Sequence, residues 1–285
     1  MAENTKIEWC DHTVNLWHGC AKVHTGCKNC YAEAMSKRWK FAIWGENAPR
    51  REIKSAFRDL KKYENHAREN GFKEVVFCGS MMDIFEKPKW LTDNGDKSGI
   101  FHLKTNTLRD ILFKEITDGK YNNLIFLFLT KRPQNINKFI PEIWKSKLPK
   151  NVWFGTSVSD QKTAEELIPK LMENTPKSAN LFLSVEPQTD AISLTNLKLA
   201  ADSHYLNCLS GTISFPIGSC DELKSQRIKW VIQGGESGNK KRPFKTEWAF
   251  LLKSQCAANR TDYFFKQIDG VKPIPPILNI KQKPF

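Results

Sequence analysis

One pattern of apolar and polar positions recurs along most of the chain. A short apolar run, rich in β-branched and aromatic residues, ends in a polar cluster, and a helix-like stretch follows. Val75-Val76-Phe77-Cys78 ends in Gly79-Ser80-Met81-Met82-Asp83, and the run Leu124 to Leu129 ends in Thr130-Lys131-Arg132-Pro133. Val152-Trp153-Phe154 ends in Gly155-Thr156-Ser157, and Leu181-Phe182-Leu183 ends in Ser184-Val185-Glu186-Pro187. Trp230-Val231-Ile232 ends in Gln233-Gly234-Gly235-Glu236-Ser237, and Tyr263-Phe264-Phe265 ends in Lys266-Gln267. Continuous apolar runs without alternation mark strands buried on both faces. Helical patterns at 101–118, 134–146, 161–174 and 246–258 lie between them and argue for βαβ units. The expected fold is α/β: a single full or partial (β/α) TIM-like barrel with about six or seven βα units. In that fold the strand carboxyl ends carry the active site, and every polar cluster falls there.

The remaining segments frame the repeat. Residues 5–20 hold a first strand ending near Trp17. From Tyr31, the positions Ala32, Ala34, Met35, Arg38 and Trp39 fit one amphipathic helix, broken by Gly45 to Pro49. The charged stretch Arg50 to Asn70 has Ile53, Phe57, Leu60 and Tyr63 on an apolar side, which reads as a solvated surface helix. The other reading has Arg50, Arg51, Lys54, Arg58, Lys61 and Lys62 facing a phosphate backbone. Residues 188–227 break the rhythm, carry Cys208 and Cys220, and read as an insertion able to cover the site. The Pro-rich stretch 272–285 reads as an extended arm. The chain is thus expected to be one domain over 1–285.

Chemistry concentrates in Asn15 to Ala32, where Cys20, Cys27 and Cys30 fall within eleven residues and Gly19 and Gly26 precede two of them. Glycine allows the tight turns that bring sulfurs together. A structural zinc site takes four ligands and a cubane iron–sulfur cluster normally takes four cysteines. Three cysteines would leave one iron open to a small molecule. The rival is zinc, completed by His18, His24 or Cys10. Lys22 and Lys28 make the loop electropositive, which favours thiolate.

Gly-Cys followed by Gly-Cys-x-x-Cys-Tyr-Ala resembles the phage-associated three-cysteine-motif proteins, a group of unknown function that is itself similar to radical S-adenosylmethionine (SAM) enzymes. The resemblance extends through Ser-Met-Met-Asp, Thr-Lys-Arg-Pro, Val-Glu-Pro and Gly-Gly-Glu-Ser-Gly. It departs from the usual Cys-x3-Cys-x2-Cys: six residues separate the first two cysteines, and Asn29 stands where an aromatic precedes the last. It implies a [4Fe-4S] cluster on Cys20, Cys27 and Cys30, SAM on the open iron, and an external electron donor. It also implies that Gly79, Ser80, Met81 and Asp83 meet the SAM amino group and that Tyr31 lies near adenine, its ring being equally suited to the core. Arg132 and Lys131 suit the SAM carboxylate or a substrate phosphate. Ser157 and Ser184 suit ribose or substrate. Glu186 suits a hydroxyl pair or proton acceptance, so Glu186 and Lys266 are the catalytic candidates. Gly234, Gly235 and Glu236 form a glycine-rich strand end that lets backbone approach a ligand, without the Gly-x-Gly-x-x-Gly fingerprint. For Lys266 the alternative is a salt bridge to Glu186 or Glu236.

Bulk properties narrow the class. The 285 residues are 40% hydrophobic and 26% charged, ordinary for a soluble globular chain. No apolar run nears the roughly 18 residues of a membrane helix, and the first residues show no apolar signal region. A cytoplasmic protein is expected, so its eight cysteines read as metal ligands or reduced thiols. A net charge of +13 favours an anionic partner, with nucleic acid or a nucleotide base as leading substrate. The alternatives are a small molecule or peptide with the same cofactor, and a non-catalytic zinc- or cluster-stapled nucleic-acid-binding protein.

Overall fold

The computed structural model describes residues 5–92, 103–199, 204–215, 223–237 and 240–285. The chain is a mixed α/β fold that divides into two compact units, residues 1–23 with 30–153, and residues 24–29 with 154–285.

The first unit holds β1 (His12–Val14), β2 (Trp17–His18), α1 (Tyr31–Arg38), β3 (Arg50–Glu52), α2 (Ala56–Asn70), β4 (Glu74–Cys78) and β5 (Leu91–Thr92). These are followed by α3 (Thr105–Thr117), β6 (Leu124–Thr130), α4 (Ile136–Phe139) and α5 (Glu142–Ser146). β7 (Val152–Ser157) begins there. The second unit continues with α6 (Gln161–Glu173), β8 (Asn180–Val185), β9 (Leu197–Lys198), β10 (Tyr205–Asn207), β11 (Thr212–Ser214) and β12 (Leu223–Lys224). It closes with β13 (Ile228–Gly234), α7 (Thr246–Ala258) and β14 (Asp262–Gln267). In the first unit β1, β4 and β6 hydrogen-bond in that order, and in the second β8, β13 and β14 do. Within the first unit β1–β4 and β4–β6 are parallel, and within the second β8–β13 and β13–β14 are parallel.

The apolar runs become strands for the expected reason. In β6, Leu124, Phe126, Leu127 and Phe128 are wholly buried, as are Leu181, Phe182 and Leu183 in β8. Each such side chain contributes about 1.5–3 kcal/mol of burial. Helices α6 and α7 match the expected spans closely. α3 starts at Thr105; the beginning of the expected 101–118 stretch lies outside the described residues.

Elsewhere the structure differs. The stretch 134–146 is two short helices, because Pro141 forces Ile140 into extended backbone with ψ 152°. The expected first strand is two short strands, β1 and β2. Arg50 does not start a helix; it opens β3, which pairs with β2 and β5. α2 buries Ala56, Leu60, Tyr63 and Ala67 and leaves Arg58, Lys61 and Lys62 exposed. The 188–227 segment carries a four-stranded antiparallel sheet in the order β12-β11-β10-β9; Cys220 lies outside the described residues. The arm is extended and covers the β14 edge: Phe265 N–H donates to Ile280 O at 2.9 Å and Trp230 Nε1 donates to Gln282 O at 2.9 Å. Among the described residues no helix is long and apolar enough to cross a membrane.

Arg50 shows why a charged residue can nucleate structure. Its side chain is wholly buried, and it donates from Nε and Nη2 to the two Glu86 carboxylate oxygens, each at 2.9 Å. Nη1 reaches the carbonyls of Ala48 at 2.7 Å, Gly45 at 3.2 Å and Ile43 at 3.3 Å. Glu86 also accepts from Trp17 Nε1 at 3.1 Å. Burial pushes the Glu86 carboxyl up, against the pull of Arg50. Breaking such a pair strands a buried charge, so Arg50→Ala is expected to lose about 3–5 kcal/mol in urea unfolding. Arg50→Lys is expected to recover only part of it, because an ammonium cannot reproduce the fork.

Candidate functional site

In the first unit the turn after β4 is built around Asn15. Asn15 Nδ2 donates to Ser80 Oγ at 2.8 Å, and its Oδ1 accepts from Met81 N–H at 2.7 Å. Gly19 N–H donates to Met81 O at 3.0 Å and Tyr31 Oη donates to Ser80 O at 2.6 Å, so the cysteine loop is tied to this turn. Gly79 has φ +118°, a conformation that favours glycine.

Asp83, 4% exposed, takes four donors within the chain. Its Oδ1 accepts from Thr130 Oγ1 at 2.7 Å and Phe85 N–H at 3.0 Å; its Oδ2 accepts from Arg132 Nη1 at 2.8 Å and Lys131 N–H at 3.2 Å. Arg132 in turn reaches the cysteine loop, with Nη2 2.9 Å from Ala21 O and Nη1 3.7 Å from Cys20 Sγ. Burial and Asp83 push the Cys20 thiol up to about 12, with Arg132 opposing. Burial works against the Arg132 guanidinium, yet Asp83 and Cys20 carry its net shift upward. Cys30 caps the start of α1 and is half-buried. Lys22 does not stand as a spare charge beside the loop, because it pairs with Glu33 at 2.8 Å. The Tyr31 ring is 48% exposed and so is not core.

In the second unit Cys27 is buried in a 3-10 turn, Thr25–Cys27. Thr25 Oγ1 donates to Asp160 Oδ2 at 2.9 Å, and a Cβ on Gly26 would lie 2.2 Å from Ser159 Oγ. Asn29 Nδ2 donates to Glu236 Oε2 at 3.0 Å. Glu236 also accepts Arg242 Nη2 at 2.7 Å and Arg242 N–H at 2.8 Å. Burial opposes ionisation of Glu236, but Arg242 and Asn29 hold its carboxyl below the usual range. Lys266 Nζ donates to Glu186, the salt bridge that was the alternative for this lysine, and Ser157 Oγ donates to Glu186 O at 3.0 Å. Ser184 is buried.

The glycine-rich strand end is occupied by the chain itself. A Cβ on Gly235 would lie 1.9 Å from Ile268 O and 2.8 Å from Phe244 Cβ, whereas one on Gly234 would meet nothing closer than 3.5 Å. At Gly235 the chain itself makes a close approach. Gly238 lies outside the described residues.

Cys20 and Cys30 belong to the first unit and Cys27 to the second, and all three are unbridged. Among the described residues, no three His, Cys, Asp or Glu side chains are grouped so as to hold a metal ion. In donor chemistry the set suits an iron–sulfur cluster: three soft thiols on one short loop, with a guanidinium against one sulfur. Thiolate suits zinc equally. Of the zinc candidates, His18 is lowered to about 4 by burial and by Arg51, which keeps its imidazole neutral, and Cys10 Sγ lies 3.6 Å from Ile7 O.

Sequence reasoning missed Asn15, Asp160 and Arg242 and the role of Asn29, and Arg50, a candidate for phosphate, is buried against Glu86 instead. Only Asp160 carried a local signal: Asp160-x-x-Thr163 ahead of an apolar helix is a capping box, with Asp160 Oδ1 2.8 Å from Thr163 N.

Each unit is α/β, with carboxylates at strand ends paired to cations: Asp83 with Arg132 in the first, Glu186 with Lys266 and Glu236 with Arg242 in the second. The chain belongs to the family described as protein of unknown function DUF5131, whose model matches residues 4–276. No curated protein and no solved structure matches it.

Two outcomes check this geometry. Gly235→Ala is expected to lose about 1–3 kcal/mol by overpacking, with Gly234→Ala nearer neutral, in paired denaturant titrations. The Asp269 carboxyl, held down to about 2 by the N–H groups of Lys272 and Val271 and by Lys241, is expected to titrate there by carboxyl-carbon NMR. A depressed carboxyl stabilises the fold above its unfolded pKa near ~3.9, and that contribution fades as pH falls through about 2.

Proposed function

We propose that the chain is a radical SAM-like enzyme that acts on nucleic acid or a nucleotide base, built on a partial (β/α) barrel. The observation that carries the reading is the wiring of the cysteine loop to two strand ends: Arg132 joins Asp83 to Cys20 and Ala21, and Asn15 joins the loop to Ser80 and Met81. Cys20, Cys27 and Cys30 would hold the cluster, and the resemblance to three-cysteine-motif proteins supplies that ligand set. Such a cluster, if bound there and reduced by an external donor, would supply the one-electron reductive cleavage of SAM that starts hydrogen abstraction from substrate.

The chain's own residues position and exclude. Asp83 and Thr130 fix Arg132, which sets a positive charge beside Cys20 and opposes the burial that raises its thiol. The backbone from Gly79 to Met81 is fixed by Asn15, and Ser80 O and Met81 O already accept from Tyr31 and Gly19, so an amino group would have to share those carbonyls. Glu186 and Lys266 hold one another as a charged pair at the ends of β8 and β14, and a substrate hydroxyl or phosphate would divide that pair. The net charge of +13 supports an anionic substrate.

The test is anaerobic reconstitution followed by iron, sulfide and zinc analysis, then dithionite and SAM with chromatographic detection of 5′-deoxyadenosine. About four irons per chain are expected, with 5′-deoxyadenosine formed by the wild type and abolished in Cys27→Ala. Stoichiometric zinc with no iron and intact SAM would instead leave a zinc-stapled binding protein.

A further inference from the structure

α1 buries only its small residues, Ala32 and Ser36. Beside them run three large apolar side chains at four-residue spacing, Tyr31 and Met35 on α1 and Trp39 at its C-terminal cap, exposed by 48%, 38% and 41%. Residues at this spacing lie along one face of a helix. Water-facing rings are ordinary singly, but three large side chains in a row on one short helix need an occupant.

The rings are fixed before any partner arrives. Tyr31 is anchored by its hydroxyl on Ser80 O at 2.6 Å. Trp39 stacks on His18, ring centroids 6.0 Å apart and planes 19° apart, and meets the edge of Phe41. Arg51 lies over the other ring of that ladder, its guanidinium carbon 4.2 Å from the Phe41 centroid.

The surroundings are cationic. Residues 31–40 contain Lys37, Arg38 and Lys40 and a single acid, Glu33. That acid is already held by Lys22 and Lys37, each at 2.8 Å. Lys40 has φ +59° at the helix end, where glycine is the common choice, and so keeps a third positive charge at the tip of the stripe.

We infer that this face is a stacking surface for single-stranded nucleic acid, with bases on Trp39 and the α1 stripe and phosphates on Arg38 and Lys40. Flat rings interleaved with cations suit unpaired bases, whereas a duplex hides its base faces. The inference rests on the proposed function only for nucleic acid as substrate; the binding itself needs neither cluster nor SAM.

The test is fluorescence anisotropy of the metal-free chain with a labelled oligonucleotide of about 20 residues, single-stranded or duplex, between about 50 and 200 mM salt. Single strands are expected to bind better than duplex, and Trp39→Leu to weaken them roughly tenfold or more at an unchanged urea midpoint, with Trp39→Phe retaining most of the affinity. Arg38→Gln with Lys40→Gln is expected to lower the single-strand salt slope by about 1.4. The inference is overturned if Trp39→Leu binds like wild type, if duplex is preferred, or if no oligonucleotide binds. It is also overturned if a polyglutamate peptide binds with the same Trp39 dependence, which would assign an acidic protein partner. Formation of 5′-deoxyadenosine without oligonucleotide binding sinks the surface and spares the cofactor reading; Trp39-dependent binding without 5′-deoxyadenosine does the reverse.

Discussion

Most of the first unit's organisation depends on four buried residues, Asp83 to Glu86, and on the three arginines that hold them. Arg132 pairs with Asp83, Arg109 Nη1 donates to the carbonyls of Ile84 at 3.2 Å and Glu86 at 3.3 Å, and Arg50 forks onto the Glu86 carboxylate. Buried ions are tolerable only when paired and hydrogen-bonded, and here each guanidinium has acceptors on more than one residue. Arg132 brings the cysteine loop, Arg50 brings residues 43–49, and Arg109 brings α3, with its guanidinium also 4.1 Å from the Phe139 ring centroid. A core of apolar side chains alone would not fix these loops in register, because apolar contact has no direction.

The same logic recurs at the strand ends. Asp83 with Arg132, Glu186 with Lys266, and Glu236 with Arg242 are three carboxylates each matched to one cation. They differ in what remains for a ligand. Asp83 is saturated by four donors and buried, so it acts through Arg132. Glu186 and Lys266 keep side-chain exposures of 18% and 21%, so this pair is less buried than Asp83 with Arg132.

Much of the fold could be read because its strands are continuous apolar runs, and a short run of that kind bounded by turn residues fits a strand covered on both faces. What could not be read is what depends on distant partners. β1 and β2 have three and two residues and no apolar run, and they exist because β4 and β3 pair with them. Arg50 looks like a surface charge until Glu86, 36 positions on, is placed against it. The 188–227 sheet is made of strands of two and three residues, below the length at which periodicity carries information. In the site, cysteine spacing and strand-end polarity were visible, but Asn15, Asn29 and Arg242 act across 66, 207 and 217 positions and left no local mark.

The two glycines that precede cysteines show how the loop gets its shape. Gly19 has φ +118°, and a Cβ there would lie 2.3 Å from Ile43 O and 2.7 Å from Arg50 Cδ. Gly26 has no such backbone requirement, but its Cβ would strike Ser159 Oγ at 2.2 Å. One glycine is needed for its conformation and for a close neighbour, the other for a close neighbour alone. In both cases the crowding partner belongs to the packed framework: Arg50 in one unit, and the Ser159–Asp160 helix cap in the other. Each glycine is thus fixed by packing within its own unit, and ordering set by packing in this way costs no further conformational entropy on binding.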